Sequence, residues 1–164
     1  MTPEDLVEIE GVKRLKYAYF RCLDQKRWDE MGTLFTDDAV AAYSNGKYRY
    51  EGREAIVEFM RTNMSRDSFH TSHRVHHPEV DLVSATEATG TWAMDDVNVD
   101  TDFDFFLVGA GFYEDTYVKQ DGRWLFSHTG YKRTFETIAP MSEMHMSMTA
   151  SWWTTDGRSS LGVQ

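Results

Sequence analysis

Apolar residues near the start of the chain recur every three or four places. Leu6, Ile9, Val12, Leu15, Tyr19, Cys22 and Leu23 fall on one side of a 3.6-residue repeat, which predicts an amphipathic helix. Thr2 supplies an N-cap, Pro3 suits the first helical position, and Glu4 and Asp5 complement the positive end. "RWDEMGTLF" predicts a short second helix. "AVAAYSNGKYRYEG" then reads as strand, turn and strand, with Asn45-Gly46 as the hairpin signal. "REAIVEFMRTNM" returns to helical spacing through Ile56, Val57, Met60 and Met64. Beyond it the pattern is β, with strands predicted near 70–83, 86–98, 105–119 and 123–135 and Asp121-Gly122 turning the last pair.

Three helices in the first half, followed by a long antiparallel meander, give an α+β order. Strands this long curl around the helices and leave a concave interior, a natural place for a small apolar ligand. The length of 164 residues suits one domain, without repeats or linkers. Residues 1–138 hold the pattern. The tail, 139–164, is Met-rich and then polar; its first half is expected to pack and about its last eight residues to be loose.

A formal net charge of −10 argues against nucleic acid and anionic membrane surfaces as partners, because phosphate binding needs clustered Lys and Arg. Aromatic residues make up 14% of the chain, enough for a large core or an aromatic-lined pocket. Cys22 is the single cysteine, so no internal disulfide forms, and its helical position fits a small buried residue better than a nucleophile. No apolar run reaches membrane-spanning length, and "MTPEDLVEIE" lacks the apolar centre of a signal peptide. A cytoplasmic protein is expected.

His70, His73, His76 and His77 stand within eight positions, in "FHTSHRVHHPEV". On a helix, His70, His73 and His77 would share a face and could bind zinc. Pro78 disfavours helix at His77, and "VDLVS" follows with β character, so a strand is predicted. On a strand His73 and His77 point the same way but lie ~13 Å apart at ~3.3 Å per residue, while His70 and His76 point to the other face. No metal site is therefore expected. The apolar Val75 shares the face of His73 and marks that face as inward. An inward histidine is either a hydrogen-bonded core residue or a base, and the pattern alone does not choose.

Several stretches together resemble the SnoaL-like branch of the nuclear transport factor 2-like superfamily over about residues 3 to 138. They are "AYFRCLDQKRWDEMGTLFTDDAV", "EGREAIVEFM", "TSHRVHHPEVDL", "ATGTWAMDDV" and "GAGFYEDTYVKQDGRWLFSHTGYKRTFE". The resemblance implies a cone: a strongly bent, mixed or antiparallel sheet wrapped by three helices around a deep pocket. Scytalone dehydratase, bile acid 7α-dehydratase, hexachlorocyclohexane dehydrochlorinase, polyketide cyclases and formaldehyde-releasing lyases belong to this group. The first three carry an Asp at the end of the first helix and a His on the strand after the third. Asp24 in "CLDQKRW" and His73 in "TSHRV" match those positions, which implies a dyad with His73 as base and Asp24 orienting its ring.

In the bile acid enzyme a Tyr five residues before the Asp and a second Asp also contribute. Tyr19 and Asp96 match them, with Asp95 as the alternative to Asp96. Five helical residues set Tyr19 about 140° from Asp24, so both serve one pocket only if the helix ends or distorts there. Tyr43 matches a pocket Tyr of scytalone dehydratase. Trp92 shares the strand face of Asp96, and His128 and Arg133 on the last strand are further substrate-binding candidates, Arg133 as an anion stabiliser. Each Tyr is equally compatible with core packing. Asp96 stands where the scytalone type has a second catalytic His, which argues against scytalone dehydration itself.

The resemblance implies a lyase without cofactor, acting on a small apolar, aromatic or polycyclic substrate by dehydratase-type elimination or formaldehyde release. Two other readings stay open: a non-catalytic binding module, such as a dioxygenase small subunit, and an isomerase or cyclase using the same base. A homodimer or homotrimer is expected, since family members associate through the open sheet face.

Overall fold

The computed structural model describes residues 1–162. The elements run α1 (Pro3–Asp24), α2 (Trp28–Gly32), β1 (Phe35–Tyr43), β2 (Tyr48–Glu51), α3 (Arg53–Met64), β3 (Phe69–Leu82), β4 (Glu87–Asp100), β5 (Phe105–Gln120) and β6 (Arg123–Ala139), with a 3-10 turn at Ser142–Met144. The six strands form one sheet in the order β2-β1-β6-β5-β4-β3. β1 runs parallel to β6 and every other pair is antiparallel. This is the α+β cone, a mixed, bent sheet closed by three helices.

Local chemistry sets the helix ends. Thr2 accepts from the Asp5 backbone N–H while Asp5 accepts from that of Thr2, a reciprocal cap worth about 1 kcal/mol. The second helix is shorter than its pattern predicts: it stops at Gly32, and Phe35 already belongs to β1. Packing decides this, because Phe35 is fully buried and pairs in register with Phe126. β6 continues to Ala139, four residues past the expected end at 135.

Strand parity controls what faces the interior. On β4 the even positions Ala88, Trp92, Met94, Asp96 and Asn98 point inward and are buried. On β3, Thr71, His73 and Val75 lie opposite Asn98, Asp96 and Met94 and share that face. A bulge between His76 and Glu79 then shifts the register, with His77 at φ 49°, and Val80 and Leu82 turn inward instead. His77 therefore does not share the face of His73, contrary to simple alternation. Pro78 cannot donate to the ladder, which places the bulge there. The core packs Val12, Met31, Trp92 and Phe126 together, each at 0% exposure. Burying Phe126 or Met31 contributes ~1.5–3 kcal/mol each.

In the tail, Met141 is buried, Ser142 bonds Asp104 through its backbone N–H and hydroxyl, and Lys26 lies 4.3 Å from the ring centre of Trp153. Residues 157–162 are exposed; 163 and 164, part of the stretch expected to be loose, lie outside the described residues. No helix among the described residues is long and apolar enough to cross a membrane.

Candidate active site

Asp24 is the last residue of α1 and packs against β3. Its Oδ1 lies 2.7 Å from His73 Nδ1 and accepts from the Thr71 hydroxyl at 2.8 Å; its Oδ2 accepts from the backbone N–H of His73 at 2.9 Å. Burial pushes the Asp24 carboxyl up, but these donors outweigh it and hold the group below the usual carboxylate range. A carboxylate can only accept, so His73 Nδ1 carries the proton. Nε2 makes no hydrogen bond among the described residues and is the nitrogen free to act as a base. Phe20 stacks on the imidazole at 5.7 Å between ring centres and fixes its plane.

His73 opens on a cavity of about 400 Å³. Tyr19, Tyr43, Tyr113 and Tyr131 line it on one side, with Phe59, Phe69, Phe105 and Leu107 around them. The Tyr19 and Tyr43 hydroxyls are 3.0 Å apart. Burial raises both phenols well above their ordinary value, so they stay neutral donors. The 140° between Tyr19 and Asp24 is met without distorting the helix. Tyr19 faces the cavity, whereas Asp24 is outside its lining and holds His73 from behind.

Asp96 lies in register with His73 and is 1% exposed. Both of its oxygens are engaged. Arg133 Nη1 donates to Oδ1, and Oδ2 accepts from Arg133 Nη2 at 2.9 Å and from Asn98 Nδ2 at 2.5 Å. Arg133 Nε is also 3.3 Å from Glu136 Oε2. Burial lowers the guanidinium's proton affinity, but the Asp96 hydrogen bonds outweigh this and raise it. Asp96 therefore anchors Arg133 and Asn98 and is not laid out as a free acid or base. Arg133, expected as an anion stabiliser, already faces two carboxylates. Gly109 opposite Asp96 leaves the space for this pair, since a Cβ there would meet Arg133.

Two expected pocket residues stand elsewhere. Trp92 points inward but lies in the closed core, donating from Nε1 to the Tyr117 hydroxyl at 2.9 Å. His128 is on the outer sheet face, in a groove with Glu114 and Lys132, because a bulge brings both Ser127 and His128 opposite Thr116. Asp95 faces outward and pairs with His76 at 2.5 Å. His70 and His77 are outside the cavity lining as well. Among the described residues no group of three His, Cys, Asp or Glu is placed to hold a metal ion.

The sequence reading missed a buried ion pair under the tyrosines. Lys16 Nζ lies 2.7 Å from Asp115 Oδ2, both side chains at 0% exposure. Asp115 also accepts from Tyr117 and Thr129, at 2.8 and 2.7 Å. The ammonium sits 3.5 Å from the Tyr113 ring centre, and burial lowers its pKa to about 8 against the pull of Asp115. The signal was available: Lys16 interrupts the apolar stripe between Val12 and Tyr19, and Asp115 alternates with Tyr113 and Tyr117.

A family model described as a SnoaL-like domain matches residues 4–130. Among solved structures, a scytalone dehydratase-like protein from Novosphingobium aromaticivorans DSM 12444 is 29% identical. The match has a TM-score of 0.75 and covers 84% of this chain and 91% of that one. The hexachlorocyclohexane dehydrochlorinase LinA-type3 from Novosphingobium barchaimii LL02 is 19% identical, with a TM-score of 0.75 over 88% and 97% of the two chains. A protein of unknown function from Mycobacterium tuberculosis is also 19% identical, at 0.70 over 91% and 83%. At 19% identity these last two share the fold.

Proposed function

The chain belongs to the SnoaL-like domain family, and on that footing we propose that it is a cofactor-independent lyase acting on a small aromatic or polycyclic substrate. The supporting observation is the His73 imidazole, held by Asp24 on Nδ1 with Nε2 free beside an aromatic cavity. Nε2 takes a proton from a substrate carbon. The C–H electron pair becomes the new double bond, and the leaving group departs with its own bonding pair. Asp24 keeps the ring in one tautomer and stabilises the imidazolium that forms. The Tyr19–Tyr43 pair offers neutral hydroxyl donors to a departing oxygen, which then leaves as water with a proton returned from the imidazolium. Two relatives of this fold carry names of elimination enzymes, a dehydratase-like protein and a dehydrochlorinase.

The test is incubation with a steroid, aryl-diol and polyketide panel without added cofactor, read by mass spectrometry. Loss of water, halide or formaldehyde that disappears in His73→Ala is the expected result. An isomerised product of unchanged mass would assign the base to an isomerase. No turnover above the His73→Ala background across the panel would count against the lyase reading.

A further inference from the structure

Asn98 lies two residues beyond Asp96 on β4, 9% exposed, with its side chain in the cavity wall. An amide can face either way, but its neighbours fix this one. Asp96, bound to Arg133 through both oxygens, can only accept, so Asn98 must turn its NH₂ toward it, as observed at 2.5 Å. The carbonyl Oδ1 is thereby left for the cavity and accepts no hydrogen bond among the described residues. Its strand neighbours cannot supply one. Thr71 on β3 spends its hydroxyl proton on Asp24, and Leu107 on β5 has no donor. An acceptor that opens on the cavity without a protein partner is met there by water or by a ligand.

We propose that Asn98 is a specificity-determining residue that accepts a hydrogen bond from a hydroxyl of the substrate, which makes the substrate class a neutral cyclic alcohol or phenol. This rests on the lyase reading above for the reaction, though not for the binding. The neutral charge at this wall follows from Arg133, which is already shared between Asp96 and Glu136 and so is not offered to a substrate anion; Lys47, the other basic residue of the lining, stands apart on the β1–β2 turn. The hydroxyl that Asn98 reads is not the leaving one. A departing oxygen must receive a proton, whereas Oδ1 only draws on the proton the oxygen already has. Diagonal positions on one strand face lie about 7–8 Å apart, which is the relation of Asn98 to His73. The substrate therefore carries a retained hydroxyl several bonds from the carbon that loses its proton.

Two probes of the same shape separate donor recognition from apolar fit: 2-naphthol, which has the donor, and 2-fluoronaphthalene, which lacks it. Affinities are measured by equilibrium dialysis at neutral pH, up to probe saturation. The wild-type chain should prefer 2-naphthol by about five- to tenfold, the reach of one neutral hydrogen bond. Asn98→Leu should bring the two affinities together while 2-fluoronaphthalene binds at least as well as before. Asn98→Ala, checked by circular dichroism, serves where the Leu variant does not fold. Equal affinities in the wild type, an unchanged preference in the variants, or binding of neither probe would each overturn the proposal. A hydroxyl preference without turnover on any panel substrate would sink only the lyase reading; turnover without the preference would sink only this one.

Discussion

Asp24 grips His73 at two points, the imidazole Nδ1 at 2.7 Å and the backbone N–H at 2.9 Å. The double contact ties the end of α1 to the middle of β3, so ring orientation and strand position are set together. His73→Ala should cut turnover by about 10²–10⁴ with the fold retained, because the ring borders open space on its cavity side. Asp24→Asn should cost less while substrate binding persists, since it keeps the ring in place but removes the charge that favours imidazolium. Initial rates and circular dichroism on both variants check the order. A folded Asp24→Asn that is worse than His73→Ala would reverse the roles.

Lys16 and Asp115 are a buried pair, and among the described residues neither makes a second salt bridge. Lys16→Met should destabilise the chain by ~3–5 kcal/mol in urea unfolding, because it strands a buried carboxylate. Asp115→Leu alone should also be severe. The double variant should recover much of the loss, and a double-mutant cycle measures that coupling. Simple additivity of the two single losses would show that the pair is not coupled.

Much of this site could be read from the sequence because two short-range rules happened to suffice. Helical spacing placed Asp24 at the end of α1, and strand alternation with Val75 turned His73 inward; family resemblance then joined them. Alternation failed wherever a bulge intervened. His77 left the face of His73 at the β3 bulge, and His128 went to the outer face at the β6 bulge. Trp92 had the right parity but the wrong depth, since parity says nothing of where the cavity ends. Lys16 and Asp115 are 99 positions apart, and only the closed cone brings them together.

Acid should weaken the fold through Asp24 and Asp100. Burial pushes both carboxyls up, yet the His73 donors at Asp24 and the Arg66 guanidinium at Asp100 leave both below the usual range. A depressed folded pKa means the unfolded chain binds protons first, so this stability is complete above about pH 4 and is lost as pH falls through the folded values. On the alkaline side, burial raises Tyr19, Tyr43 and Tyr113. Unfolded tyrosines release protons from about pH 10, so stability should fall as pH rises beyond that. Urea midpoints between pH 3 and 11 check both limbs. A midpoint that keeps rising below pH 4 would contradict the first.

The other cluster histidines should be dispensable for turnover. His76 pairs with Asp95 on the outer face, and His77 sits in the bulge. Alanine at His70, His76 or His77 should leave rates near those of the parent chain, and chelation should leave thermal stability unchanged. A folded His76→Ala or His77→Ala more damaging than His73→Ala would mean the inward face is wrongly assigned. Stoichiometric zinc in purified protein would contradict the chelation result.

The outer face of β5 and β6 carries exposed apolar side chains. Phe112 is 47% exposed and Phe135 54% exposed, and both take the outward parity of their strands. Val108 and Ala110 extend the same face along β5. Exposed apolar patches of this kind mark contact surfaces more often than free ones. The chain is therefore expected to form a homodimer or homotrimer through this face. Static light scattering at micromolar concentration should give two or three times the mass of one chain. Phe112→Glu with Phe135→Lys should shift the mass to that of one chain, because charge on each patch resists desolvation. His73 and the cavity lie on the opposite face, so the shifted protein should keep its Asp24–His73 pair and its fold by circular dichroism. A monodisperse monomer in the parent chain, or an unchanged mass in the double variant, would rule this surface out as the interface.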